Sequence, residues 1–167
     1  MRAGGKGNAT ESNVLWRGND QSRIGTPLLY DGRIDSVGGG RVTCVDVKSG
    51  ERVFQGRLAS AETSSAQDDG DDGRGGRGRG GFGGGRGGGG GFGGQDYSSP
   101  VAAGGKIYFI ARSGDGYVLE AGKELRQLAH NRFEDGGDFS ASPAISDGAL
   151  FIRSSEYLYC VAESGGE

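Results

Sequence analysis

The sequence has few of the residues on which small metal-bound or disulfide-bonded folds depend. Three prolines, two cysteines, one histidine and one tryptophan occur among 167 residues. Two cysteines and one histidine cannot complete a structural zinc site of the usual four-ligand type. Cys44 and Cys160 allow at most one disulfide, which excludes a disulfide framework. Three prolines and no three-residue glycine period also exclude a collagen-like chain.

Long apolar runs and an excess of positive charge are missing as well. No apolar run approaches the roughly 20 residues that a membrane-spanning helix needs. Nineteen basic and 22 acidic residues give a formal net charge of −3, whereas a domain that binds nucleic acid over its whole surface is normally basic. Residues 1–13 lack the apolar stretch of a secretory signal, so the sequence itself assigns no compartment.

Glycine and short apolar runs are what the sequence does contain. Glycine supplies 38 residues, and many of them are concentrated between Gly73 and Gly94. Elsewhere, apolar runs of a few residues alternate with glycine-containing turns. This alternation is typical of a chain built from short β-strands.

Three copies of one pattern lie outside the glycine tract. Each copy has Ser/Thr-Pro, a short apolar segment, a two-residue turn and an apolar strand, in that order. The prolines of the three copies are Pro27, Pro100 and Pro143. The turns are Asp31-Gly32, Gly104-Gly105 and Asp147-Gly148. Aspartate and glycine there favour the positive φ angles of a tight hairpin. The second and third prolines are 43 residues apart, which matches the period of a four-stranded propeller blade.

These repeats resemble the PQQ-like β-propeller repeat family, also called quinoprotein-type or PQQ-binding-like. The resemblance rests on the Ser-Pro hairpins and on the turn Asp46-Val-Lys-Ser-Gly50, which is similar to the family's acidic-x-Lys-x-Gly turn. It covers the chain outside the N-terminal tail and the glycine tract. The resemblance implies an all-β fold, a partial β-propeller of about three four-stranded antiparallel blades with a disordered Gly/Arg-rich loop between two of them.

The repeats also predict the organisation of the chain. In order, we expect a flexible N-terminal tail (1–13), the outer strand of a preceding blade plus the first blade (14–58), a low-complexity Gly/Arg-rich insert (59–95), a second blade (96–135), a third, incomplete blade (136–163) and a loose C-terminus (164–167). A chain that starts and stops within blades is expected to be the C-terminal part of a larger propeller. A diverged piece of a gene and self-association that completes a ring are the alternatives.

The resemblance implies two kinds of function. Family members include quinone-dependent alcohol and sugar dehydrogenases and also non-enzymatic propellers, such as the lipoprotein of the outer-membrane β-barrel assembly machinery. An enzyme of this kind would need a quinone pocket, calcium held by carboxylate and amide oxygens, and a carboxylate base. The sequence lacks an adjacent cysteine pair and a full ring of repeats, and therefore favours a non-catalytic scaffold that binds protein or ligand without a cofactor. A remnant of a quinone-dependent oxidoreductase, with PQQ and calcium, is the alternative, and a periplasmic or extracellular location is implied by the resemblance alone.

The insert supports a further hypothesis, RNA binding. Its Arg-Gly-Gly and Phe-Gly-Gly tracts resemble RGG segments, in which guanidinium groups contact phosphates and bases stack on aromatic rings. The candidate nucleic-acid-binding residues are Arg74, Arg77, Arg79, Phe82, Arg86 and Phe92. Four aspartates within 68–72 offset the four arginines, which weakens the attraction to phosphate. A flexible surface loop is the favoured interpretation.

No residue is predicted to be catalytic or to bind a metal. The residues predicted to pack between blades are Trp16, Cys44, Val118 and Cys160. The role of the tryptophan is implied by the resemblance. The two cysteines and the valine occupy one repeat position, which indicates buried apolar sites rather than a disulfide.

The remaining polar candidates are predicted to be solvated. His130 has no carboxylate or serine at a spacing that would indicate a catalytic group, so it is predicted to lie on the surface. Four acidic residues near turns are also predicted to face solvent: Asp115, Glu120, Asp135 and Asp138. The last two could in principle offer oxygens to calcium, but they lack the alternating ligands of an EF-hand loop.

Overall fold

The computed structural model of the chain describes residues 14–18, 24–59 and 95–162. Within these residues the chain forms strands, turns and bends and no helix, which confirms the all-β prediction. The predicted flexible ends and nearly all of the predicted insert lie outside the described residues. The strands form three antiparallel sheets, which we call blades 1, 2 and 3 in chain order.

Blades 1 and 2 have four strands each, and blade 3 has three in the described part of the chain. Blade 1 contains β1 (Leu28–Tyr30), β2 (Arg33–Gly38), β3 (Arg41–Asp46) and β4 (Arg52–Arg57). Blade 2 contains β5 (Val101–Ala103), β6 (Lys106–Ile110), β7 (Asp115–Glu120) and β8 (Gln127–Arg132). Blade 3 contains β9 (Ala144–Ser146), β10 (Ala149–Arg153) and β11 (Leu158–Val161). In each blade, strands that follow one another in the chain are neighbours in the sheet.

A two-residue turn joins the first two strands of every blade, as the sequence predicts. In blade 1, Asp31 and Gly32 have φ angles of 47° and 73°. In blade 3, Asp147 and Gly148 have φ angles of 50° and 76°, and in blade 2 both turn residues are glycines with positive φ. Positive φ at both positions gives a turn whose twist matches that of the flanking strands. Aspartate and glycine are among the residues that tolerate this region best.

The strand register confirms that Cys44, Val118 and Cys160 occupy one repeat position. Their partners on the preceding strand each lie eight residues after the proline of their blade and are Asp35, Tyr108 and Phe151. The register of the outermost pair also shifts directly after Cys44 in blade 1 and directly after Val118 in blade 2. The repeat therefore extends to the position of a β-bulge.

Blades 1 and 2 pack face to face through apolar side chains. Val37 and Val42 of blade 1 and Phe109, Tyr117 and Leu119 of blade 2 belong to one cluster, and each is at most 2% exposed. Burying a side chain of this size stabilises the fold by roughly 1.5–3 kcal/mol. The largest core of the described residues therefore lies between two sheets rather than within one.

The outer strands of blades 1 and 2 also touch. The side chain of Leu125 packs on Gly56 so closely that a Cβ added there would lie 2.3 Å from Leu125 Cδ2. Next to it, the Gln127 side chain donates to the carbonyl of Ala59 at 3.1 Å and accepts from its amide at 3.0 Å. These contacts hold the outer edge of blade 2 against blade 1.

Blade 2 packs on blade 3 through a second, smaller cluster. Ile110 and Phe139 are 0% exposed and Ile152 is 4% exposed. The ring of Phe133 lies 5.5 Å from that of Phe139 and 4.9 Å from that of Tyr159. Blade 2 is therefore covered on both faces, which explains why its strands read as nearly continuous apolar runs.

The hydroxyl residue before each proline ties neighbouring blades together. The amide of Thr26 donates to Ser99 Oγ at 2.8 Å, and the amide of Ser99 donates to Ser142 Oγ at 2.7 Å. The same position thus bonds blade 1 to blade 2 and blade 2 to blade 3. The sequence shows the Ser/Thr-Pro pattern, and the structure shows that its hydroxyl acts between blades.

The N-terminal segment lies outside the three described sheets. The sequence predicts an outer strand at 14–16, but residues 14–18 form none. A strand needs a neighbour for its backbone hydrogen bonds, and none of the described strands lies beside this segment in a sheet. Instead, Trp16 Nε1 donates to the carbonyl of Val47 at 3.0 Å, which anchors the segment on blade 1.

We expect Ser142→Ala to lower the free energy of unfolding by about 1 kcal/mol, because the Ser99 amide loses its acceptor. Urea denaturation followed by circular dichroism measures the change. Ser142→Thr keeps the hydroxyl and is the matched control, for which stability close to that of the wild type is expected. Equal stability of the alanine variant and the wild type would show that the bond contributes nothing.

Candidate functional site

One buried polar pair lies on the side of blade 1 that faces blade 2. Asp35 is 4% exposed and Cys44 is 0% exposed, and the thiol donates to the carboxylate. Burial raises the pKa of Asp35. Burial and the bond to this carboxylate raise the pKa of Cys44 to about 12. A thiol with so high a pKa stays protonated and unreactive at neutral pH.

Trp16 lies against blade 1, on the face turned away from blade 2. Its ring packs on Gly50, where an added Cβ would lie 2.4 Å from Trp16 Cδ2. Gly50 also has a φ of +72°, so position 50 favours glycine for two separate reasons. The tryptophan covers part of a groove of about 420 Å³ whose other walls include Ile34 and Val45. Its packing on a second blade stays a prediction.

The other two residues of the shared repeat position differ in exposure. Val118 is half-buried and lines a groove between blades 2 and 3. Cys160 is an exposed free thiol, so the prediction of a buried site is wrong for this residue. The reason is positional: this face of blade 3 is the one that a following blade would cover, and no sheet covers it in the described part of the chain.

The prediction that His130 lies on the surface is also wrong. Its side chain is 12% exposed and its Nε2 lies 2.9 Å from Asp115 Oδ1, while its ring stacks on Tyr117 at 4.8 Å. Ser113 Oγ donates to the other oxygen of the same carboxylate at 2.5 Å. The carboxylate thus lies between the hydroxyl and the imidazole, whereas a hydrolase triad needs the imidazole in the middle. The group is arranged to hold β7 and β8 together rather than to activate the serine.

Asp135 accepts hydrogen bonds from three groups in blade 3 and in the loop that leads into it. The prediction of a solvated turn residue is therefore wrong for Asp135. Its carboxylate accepts from Ser154 Oγ at 2.5 Å, from Tyr159 Oη at 2.7 Å and from the amide of Gly137 at 2.8 Å. The bond from Ser154, with further bonds from Tyr159 and Gly137, lowers the pKa of Asp135. The same carboxylate raises the pKa of Tyr159 to about 12.

The other predicted acidic positions are also paired. Asp138 accepts from Ser140 Oγ and forms an ion pair with Arg112 Nε. These two bonds lower the pKa of Asp138, and its carboxylate raises the pKa of Arg112. Glu120 is half-exposed and pairs with Arg126 at 3.0 Å. The ion pair of Asp138 joins blade 2 to the loop that leads into blade 3.

The acidic pair that could offer oxygens to calcium does not fit a calcium site. The carboxylates of Asp135 and Asp138 accept bonds from protein donors. Within the described ranges, no group of three or more His, Cys, Asp or Glu side chains is arranged to hold a metal ion.

No helix of the described ranges is long and apolar enough to cross a membrane.

Two grooves lie beside the terminal blades. The first is the groove under Trp16 on blade 1. The second has about 410 Å³ and lies between blades 2 and 3. Its lining includes Val118, Phe133, Pro143, Leu150 and Val161. Both grooves have mainly apolar walls, and the first lies on the outer face of blade 1.

The six candidate nucleic-acid-binding residues of the insert lie outside the described residues. RNA binding through them stays a prediction from sequence. The polar contacts within and between blades were missed at the sequence level, but for the pair within blade 2 one signal was available. Once the hairpin register is known, the sequence places two polar residues on adjacent strands: Asp115 near the start of β7 and His130 near the end of β8.

We expect Asp35→Asn to raise the free energy of unfolding at pH 7 by about 1 kcal/mol, because the amide has no charge to desolvate. Because the pKa of Asp35 is raised in the folded state, this carboxyl favours folding most when the pH lies below its ordinary pKa of 3.8. That contribution is lost as the pH rises through the pKa of the folded state. The advantage of the variant should therefore shrink toward pH 4. Urea denaturation at both pH values measures it. Asp31→Asn, at an exposed carboxylate, is the control, and an equal gain there would contradict the explanation.

We expect Tyr159→Phe to destabilise the fold at pH 7, because Asp135 loses a donor that stabilises its charged form. A lowered carboxyl pKa stabilises the fold above its ordinary value, and the contribution disappears as pH falls through the folded pKa. The difference from the wild type should therefore be larger at pH 7 than at pH 3. Thermal unfolding measures both. Tyr157→Phe, at a neighbouring exposed tyrosine, should change little at either pH.

A comparison with solved structures finds confident matches in fold. The structure of BamB from Moraxella catarrhalis, a PQQ-like β-propeller, superposes with a TM-score of 0.58 and 14% sequence identity. The match covers 92% of this chain and 38% of that chain, so this chain spans less than half the length of its relative. No family model and no curated protein sequence matches. With its three antiparallel sheets packed face to face, the chain is a partial β-propeller.

Proposed function

We propose that the chain is a non-catalytic scaffold that binds protein through the outer faces of its first and third blades. One observation carries this proposal. Each face that another blade covers is built into a core, whereas the outer faces of blades 1 and 3 are equally sheet-like and have no sheet against them in the described part of the chain. In a stacked-sheet architecture such faces are the ones that a further protein surface fits.

The exposed apolar side chains of blade 3 support the proposal. Leu158 lies on β11, the last strand of the stack, and is 70% exposed. Cys160 lies two residues further along the same strand, so it is on the same face, and it is also exposed. Exposed apolar side chains that share one face of a strand are typical of a surface that binds a partner.

The first blade presents a matching apolar surface at the other end of the stack. Leu29 on its innermost strand is 63% exposed. Ile34 and Val45 line the groove next to Trp16 on the same blade. The two ends of the stack are thus both available to a protein partner.

The polar groups support a scaffold rather than an enzyme. The imidazole of His130 and the carboxylates of Asp115, Asp135 and Asp138 all form hydrogen bonds or ion pairs within or between blades. Catalytic acids and bases need access to a substrate. These four side chains therefore serve the packing of the fold.

Site-specific photocrosslinking in the native cell tests the proposal. A photoreactive amino acid at position 158 samples the outer face of blade 3, and one at position 128 samples another exposed leucine, at the outer rim of blade 2. We expect protein adducts several-fold more abundant from position 158 than from position 128. Equal yields at the two positions, or none at either, would contradict a role for the outer face of blade 3.

A further inference from the structure

Within the described residues, blade 3 has an open sheet edge where the other two blades have an outer strand. β3 and β7 each pair with an outer strand, and each shows a register shift there, after Cys44 and after Val118. β11 occupies the matching place, with Cys160 at the same repeat position, but pairs only with β10 among the described strands. An open edge of this kind is a template for the addition of a further strand.

The groove between blades 2 and 3 lies where the side chains of such a strand would go. Between blades 1 and 2 the corresponding space is closed by Leu125 on Gly56 and by Gln127 on Ala59, all from the outer strands or the residues next to them. Between blades 2 and 3 the space is the groove of about 410 Å³, whose walls include Arg132 and other residues of the outer strand of blade 2. The groove therefore corresponds to the place of an outer strand that the described residues of blade 3 do not supply.

The chain itself contains a segment suited to that place. Trp16 lies eleven residues before Pro27, just as Arg132, the last residue of the outer strand β8, lies eleven residues before Pro143. Trp16 is anchored on the outer face of blade 1, while Val14 is 44% exposed and Leu15 91% exposed. Residues 14–16 are thus positioned as the outer strand of a blade that precedes blade 1.

The hydrogen bonds between blades have two complementary ends. The series runs from the amide of Thr26 to Ser99 Oγ and from the amide of Ser99 to Ser142 Oγ. It therefore ends in an amide donor at Ser142 and in a hydroxyl acceptor at Thr26. These two groups match each other in the way that their equivalents within the chain do.

We propose that copies of this chain associate head to tail. Residues 14–16 of one copy add to β11 of another as the fourth strand of its blade 3. Blade 1 of the first copy then covers the outer face of that blade, and the Ser142 amide donates to Thr26 Oγ1. The contact joins unlike surfaces, so repeating it gives a closed ring or an open filament. Two copies would have six blades, within the usual range of four to eight.

This inference rests on the proposed function, because it names the partner of the same two faces. Sedimentation velocity of the purified full chain over a range of concentrations tests it. Leu15→Glu changes the head, which is residues 14–16 with blade 1. Leu158→Glu changes the tail, which is β11 with the outer face of blade 3. Both side chains are largely exposed in the single chain, so the variants should fold, which circular dichroism checks. Leu128→Glu, at a half-exposed leucine of the outer rim, is the control.

We expect the wild type and Leu128→Glu to associate as the concentration rises. Each end variant should associate at least roughly tenfold more weakly, because a charge would be buried in the contact. A mixture of the two end variants should associate more strongly than either alone, since the intact tail of one fits the intact head of the other. This recovery is specific to a head-to-tail contact.

A wild type that is monomeric at every concentration would overturn the inference, as would end variants that associate like the control or a mixture with no recovery. These outcomes differ from failure of the proposed function. A monomeric purified chain whose position 158 still crosslinks to other proteins in the cell would leave the scaffold function intact and exclude a second copy as its partner.

Discussion

The structure depends on the packing of one sheet face against the next. A sheet with an apolar face must bury that face against another layer, and the two main clusters of buried side chains lie between blades. The hydroxyl residue before each proline adds a directional bond at the innermost strands. Apolar faces supply the stability, and the hydroxyl bonds set the register of one blade on the next. A face without a neighbour is therefore an incomplete core.

The sequence predicted the features that depend on local backbone chemistry. Asp31-Gly32 and Asp147-Gly148 form the expected hairpins because the positive φ angles belong to the turn itself. The period of the prolines predicted the three sheets, since each proline precedes an innermost strand whose ladder does not need its missing N–H. The shared position of Cys44 and Cys160 was likewise readable, because the register repeats with the sequence.

Features that depend on the contacts between strands or blades were not predictable in the same way. Asp115 and His130 meet because β7 and β8 pair in one register, and a bulge in that pair shifts which residues face each other. Cys160 repeats Cys44 in sequence but is exposed, because exposure depends on whether a following sheet covers the blade. Asp135 gathers donors from a strand and a turn some twenty residues away. Side-chain type alone does not reveal such environments.

Slow amide hydrogen exchange at Thr26 and Ser99 is the most direct test of blade-to-blade docking. Both residues lie outside the strands of their own blades, and both amides donate to the hydroxyl of the next blade. In an undocked blade these amides would have no such acceptor, so only docking protects them. The account predicts exchange as slow as in the central strands. Fast exchange at both amides, with the strands themselves protected, would show that the blades fold without docking and would contradict the account.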